Sequence, residues 1–129
     1  MAPDWRLRGG TRLTRILLVE DDADVRPSLE QLLLAAGYAV DGAGTFAGAS
    51  ALLALSTYDL VITDAMLEDG NGIDIANAAK SRGIKALVLT GYAAQFPLEL
   101  LEQHPCLGKP VRGEALLRVV ARYLEIDTS

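Results

Sequence analysis

The feature that most constrains this chain is a pair of apolar runs that each end in carboxylates: "RILLVEDD" from Arg15 to Asp22 and "DLVITD" from Asp59 to Asp64. Both read as buried strands. Driving a buried strand into a knot of like charge is unfavourable, because close carboxylates raise each other's pKa and oppose folding. Either a cation offsets the repulsion or the acids point into water.

The remaining chain alternates short apolar runs with amphipathic ones. After the first strand, Asp24 is the expected cap of a helix reaching about Ala36, with Pro27 harmless in its first turn and Gly37 as the stop. "YAVDGAG" is a weaker strand, and Thr45 opens the small-residue helix "FAGASALLAL". After the second apolar run, "AMLEDGNG" reads as a loop and Ile73 to about Ser81 as a helix closed near Gly83. "KALVLT" is a strand, about Pro97 to Gln103 a short helix, "CLGK" a short strand, and "GEALLRVVARYLE" a final amphipathic helix. Five strands alternating with five helices imply a parallel sheet covered on both faces. Right-handed crossovers make the flavodoxin-like doubly wound (βα)5 α/β fold, strand order 2-1-3-4-5, the natural solution. Ligands then bind at the carboxyl ends of the strands beside the switch point.

The chain has 129 residues, half of them hydrophobic, the size of one domain with a real core. Its net charge of −5 is uneven: Arg6, Arg8, Arg12 and Arg15 against Asp4 give the first fifteen residues +3, which leaves −8 on the remainder. Residues 1–14 are expected to be a flexible basic arm and 15–129 the domain proper. The acidic domain argues against nucleic acid as a partner. No run is long and apolar enough to span a membrane, and a cytoplasmic protein is expected. Cys106 is the only cysteine and His104 the only histidine, in the loop-like "EQHPC", so neither an intrachain disulfide, a zinc cluster nor a Ser-His-Asp hydrolase is in view.

In this strand order Glu20 and Asp21, ending the first strand, converge with Asp64, ending the third. Oxygen-only ligands favour a hard divalent cation, Mg2+ or Mn2+. The alternative is solvated acids, with Asp22 or Asp24 merely capping the first helix. The fourth strand ends in Thr90, and the fifth runs into Lys109 and Pro110. Thr90 alone means little, and Lys109 alone could simply neutralise the acids. Together, a carboxylate nucleophile, a metal site, a hydroxyl and an ammonium suit phosphoryl chemistry.

At these residues the chain resembles a response-regulator receiver domain, the CheY-like phosphoacceptor module of two-component signalling. The resemblance runs from about Arg15 to Leu124 and rests on "ILLVEDD", "DLVITDAMLEDGNGID", "ALVLTG" and "GKPV". It implies that Asp64 takes a phosphoryl group from a histidine kinase or histidine phosphotransfer protein. Glu20, Asp21, Asp64 and the backbone carbonyl of Met66 would hold Mg2+, with Asp21 the more direct ligand of the acidic pair. Thr90 and Lys109 would contact the phosphoryl group, Gly72 would be the glycine before the third helix, and Lys109–Pro110 a cis bond. Two positions depart from the common pattern. Glu68 stands where many receivers have proline, which should alter loop stiffness. Cys106 stands where an aromatic ring often couples to the switch, with Tyr92 as a substitute; a small buried hydrophobe is the expected role for Cys106.

The expected readout is a changed surface at the fourth helix, fifth strand and fifth helix. With no effector segment after Ser129, the expected output is a protein contact or onward phosphotransfer to an unidentified partner, and a homodimer stays open. The competing readings are a pseudo-receiver that binds partners without being phosphorylated, a dehalogenase-type phosphatase, and a nucleotide-binding flavodoxin-like protein. The phosphatase would carry its nucleophile on the first strand, and the nucleotide binder would need a Gly-rich phosphate loop.

Overall fold

The computed structural model describes residues 7–8, 11–91 and 103–128. Its main sheet has five parallel strands: β3 (Arg15–Val19), β4 (Ala39–Ala43), β5 (Leu60–Asp64), β8 (Lys85–Thr90) and β9 (Cys106–Gly108). They lie in the order β4-β3-β5-β8-β9, which is 2-1-3-4-5 for these strands in chain order. Two short antiparallel ribbons complete the strands: β1 (Leu7–Arg8) with β2 (Thr11–Arg12), and β6 (Met66–Leu67) with β7 (Gly70–Asn71). The first lies in the basic arm and the second in the segment expected to be loop, so both carry local pairing that the sequence reading did not include.

Four helices are described: α1 (Val25–Ala35), α2 (Phe46–Leu55), α3 (Gly72–Ser81) and α4 (Gly113–Thr128). The helix expected at Pro97–Gln103 lies outside the described residues except for Gln103, which sits in a turn.

The central strands β3, β5 and β8 are buried on both faces, which is why they read as unbroken apolar runs. Ile16, Leu18, Leu60, Ile62, Leu87 and Leu89 face α1 and α4, meeting Leu29, Leu33, Leu116 and Val120. Leu17, Val19, Val61 and Val88 point the other way, onto Ala49 and Leu53 of α2 and Ile73, Ala76 and Ala79 of α3.

The helix stops fall where glycine was expected. Gly37 and Gly83 take positive φ (100° and 77°). After α1, Gly37 N–H bonds to Leu34 O and Tyr38 N–H to Leu33 O; after α3, Gly83 N–H bonds to Lys80 O and Ile84 N–H to Ala79 O. Both are Schellman closures, which need the left-handed residue. The start of α2 is also as expected, with Thr45 Oγ1 accepting from Gly48 N–H at 3.0 Å. The start of α1 is not. Asp24 occupies the cap position with helical dihedrals and makes no side-chain cap bond. Asp22 does that work, its Oδ1 accepting from Asp24 N–H (2.8 Å) and Val25 N–H (3.0 Å). A side chain two residues earlier reaches these amides in an Asx turn, whereas a cap residue already in helical conformation cannot turn back onto them.

Candidate functional site

The adjacency of β3 and β5 brings the carboxylates together. Glu20 follows β3, its N–H held by Ala43 O at 3.0 Å, and its side chain is fully buried. Asp64, the last residue of β5, is only 2% exposed. Asp21 is half-buried beside them, and its N–H donates to Asp64 Oδ2 at 3.3 Å. One ligand oxygen from each of Glu20, Asp21 and Asp64 lies within 4.8 Å of the others.

Lys109 reaches in from the end of β9. Its Nζ lies 2.7 Å from Asp64 Oδ1 and 3.0 Å from Glu20 Oε1. One ammonium thus serves two buried carboxylates, with a third acid close by. Burial pushes the Asp64 carboxyl above its ordinary range, and Lys109 and the Asp21 N–H pull it back. The donor set is all oxygen, its charge exceeds what Lys109 balances, and an ammonium already stands between two of the acids. These are the properties of a seat for a hard divalent cation.

The backbone around Asp64 is tightly constrained. A Cβ on Gly72 would lie 1.6 Å from the Asp64 carbonyl oxygen, so no side chain fits there. Gly72 N–H bonds to Ala65 O (2.9 Å), and Asn71 Oδ1 caps α3 through Ile73 N–H (2.8 Å). Met66 opens the β6–β7 ribbon two residues after Asp64 and is 60% exposed. Thr90 ends β8, buried, its Oγ1 without a hydrogen-bond partner among the described residues. The Lys109–Pro110 peptide is cis.

Other candidates fall differently. Cys106 is exposed, contrary to the buried role expected of it: on β9 the pattern is exposed, half-buried, exposed, so this strand is not covered on both faces as β3 and β5 are. Its thiol donates to His104 O at 3.4 Å, and partial burial pushes its pKa up. Tyr92 lies outside the described residues. Sequence reasoning missed two side chains. His104 is only 5% exposed, its Nε2 2.7 Å from Asn77 Oδ1 of α3; burial and then Lys80 lower its pKa. Asp69, in the turn between β6 and β7, accepts from Phe46 N–H (2.7 Å) and Ala47 N–H (3.1 Å), fastening the ribbon to the start of α2. Both partners are distant in the chain, and no local pattern announces either.

The chain matches the response regulator receiver domain family over residues 16–121. It belongs to that family. Receiver domains are the phosphorylation-based signalling modules of two-component systems, phosphoacceptors rather than turnover enzymes. A receiver domain from Methanospirillum hungatei has the same fold, with a TM-score of 0.78 and 32% identity over 88% of this chain and 94% of that one. The receiver's structure is also similar to the response regulator TrrA of Thermotoga maritima, solved in complex with Mg2+ and BeF (TM-score 0.77, 25% identity, 86% and 99% covered). Among curated relatives, the transcriptional regulatory protein SilR of Salmonella typhimurium is 41% identical over 78 residues, 59% of this chain. The receiver spans 34% of SilR's length. Among the described residues no helix is long and apolar enough to cross a membrane.

Proposed function

We propose that this receiver is a Mg2+-dependent phosphorylation switch with Asp64 as its phosphoacceptor. The observation that carries the reading is a nearly buried Asp64 bound by Lys109 at 2.7 Å, with ligand oxygens of Glu20 and Asp21 within 4.8 Å. An Asp64 oxygen attacks the phosphorus of a phosphohistidine on a histidine kinase or phosphotransfer protein. The P–O bond forms as the P–N bond breaks, and the pair leaves on the imidazole nitrogen. Lys109 keeps Asp64 ionised against the desolvation of its site and then neutralises a phosphoryl oxygen. The Thr90 hydroxyl, buried and without a partner, is a ready donor to another oxygen.

Glu20, Asp21, Asp64 and the Met66 carbonyl are the groups that would hold Mg2+ or Mn2+. Bound there, the ion offsets the charge that spreads over the phosphoryl oxygens. The new group carries about −1.5 to −2 charges, by analogy with phosphoserine. Thr90 and Lys109 transmit this change to β8, β9 and the neighbouring α4 surface, where a protein partner in the cytoplasm reads it. Residues 15–129 form the working unit, and the basic arm is an appendage to it.

Intact mass after incubation with acetyl phosphate tests the reading. Wild type with Mg2+ should gain one phosphoryl group, and neither wild type without Mg2+ nor Asp64→Ala should. No adduct under any metal would sink the proposal and favour a receiver that only binds partners; an adduct retained by Asp64→Ala would move the acceptor elsewhere.

A further inference from the structure

One cation beside the site has no part in the chemistry above. Arg26, on the first turn of α1, donates from Nη1 to the Glu20 carbonyl oxygen at 2.9 Å. The peptide unit that carries this carbonyl also carries the Asp21 N–H, which meets Asp64 Oδ2 at 3.3 Å. A single planar group therefore joins the guanidinium to the acceptor carboxylate. Loading the carbonyl with a charged donor strengthens the N–H at the other end, since linked hydrogen bonds polarise one another. Lys109 holds the other oxygen, Oδ1, directly. Two cations thus act on the two oxygens of Asp64 by different routes.

The glycines of "DGAG" explain how Arg26 gets there. Glycine weakens a strand and often marks a close approach. A Cβ on Gly44 would lie 2.4 Å from Arg26 Nη1, and one on Gly42 would lie 2.3 Å from Glu30 Oε2. Glu30 in turn faces Arg26 Nε at 3.9 Å. The Arg26 and Glu30 heads occupy space that side chains at 42 and 44 would fill.

We propose that Arg26 is a positioning residue of the acidic site. It fixes and polarises the Glu20–Asp21 peptide, so that the Asp21 N–H keeps its aim on Asp64 and the three carboxylates keep their spacing, with Gly42 and Gly44 as its cradle. Its functional consequence rests on the phosphoacceptor reading; the peptide coupling does not.

The test is 1H–15N NMR of the metal-free protein followed by Mg2+ titration. Arg26→Met keeps the apolar stem and removes the donor. It should shift the Asp21 amide proton upfield and raise the Mg2+ dissociation constant about tenfold, as loss of groups that orient metal ligands commonly does. Gly44→Ala leaves Arg26 in place but pushes its head away, and should do the same. Arg26→Lys, which restores a charged donor, should recover part of both. An Asp21 amide unmoved in folded Arg26→Met overturns the coupling, and a moved amide with unchanged Mg2+ affinity overturns the positioning role. Failure of the phosphoacceptor reading is separately visible, as wild type that takes up no phosphoryl group from acetyl phosphate while the amide comparison stands.

Discussion

The two ends of the sheet treat charge in opposite ways. On the amino-terminal side, Arg15 pairs with Asp41 at 2.6 Å, Tyr58 donates to the same carboxylate at 2.7 Å, and the Arg15 N–H is held by Asp59 at 2.8 Å. The guanidinium also lies over the Tyr58 ring, 5.0 Å from its centroid. Each acid there has a fixed partner, and burial together with Asp41 pushes the Tyr58 hydroxyl up to about 12. At the carboxyl end, one lysine serves two of three clustered acids, and the Thr90 hydroxyl has no partner among the described residues. The first arrangement contributes to stability. The second gives some stability up, and its deficit of positive charge is what a cation and a phosphoryl group would act on.

Substitutions should separate the two ends. The largest effect belongs to Gly72→Ala, whose new methyl would meet the Asp64 carbonyl; a loss of about 3 kcal/mol by urea unfolding is expected from such overpacking. Asp41→Ala should cost about 2 kcal/mol, since it removes the one carboxylate that the Arg15 guanidinium and the Tyr58 hydroxyl both bond. Tyr58→Phe, which removes one bond, should cost about 1 kcal/mol. Both should still accept a phosphoryl group from acetyl phosphate at the wild-type rate; a loss of acceptance would mean that the two ends are coupled.

Asp64→Asn should abolish acceptance with no loss of stability at neutral pH. The pH dependence follows from the sign of the shift. Burial raises the folded pKa of Asp64 above 3.8, so folding favours its protonated form. That stability is present below 3.8 and is lost as pH rises through the folded value. Wild type should therefore gain on Asp64→Asn as pH falls. Asp69 runs the other way: the Phe46 and Ala47 amides lower its pKa, so its contribution is present above 3.8 and is lost as pH falls through the folded value. The smallest effect expected is that of Asp69→Ala, seen as faster hydrogen exchange at those two amides with the sheet amides unchanged.

What was legible in the sequence follows from where burial is two-sided. "ILLV" and "LVIT" are buried on both faces, so they announced the parallel sheet, and their ends announced Glu20, Asp21 and Asp64. Lys109 was legible for the same reason, as an ammonium at a strand end. Cys106 was misread because exposure on β9 depends on what covers that strand. The α1 cap stayed open between Asp22 and Asp24 because the two are chemically alike, and only backbone dihedrals choose between them. The ties of Asp69 to α2, His104 to Asn77 and Arg26 to the Glu20 carbonyl are set by tertiary proximity, which no run of residues encodes. The ribbon 66–71 hides in turn-forming composition, and Asp69 ties it to the start of α2.

The central claim is that the carboxyl-end acids are a ligand site and the amino-end acids are structural. The most direct measurement is thermal unfolding across a Mg2+ titration, for wild type, Asp64→Asn and Asp41→Ala. Wild type and Asp41→Ala should be stabilised in parallel, by about 2.7 kcal/mol at roughly one hundred times the dissociation constant. Asp64→Asn should respond only weakly. A flat wild-type curve, or an Asp64→Asn curve that rises as wild type does, would contradict the account.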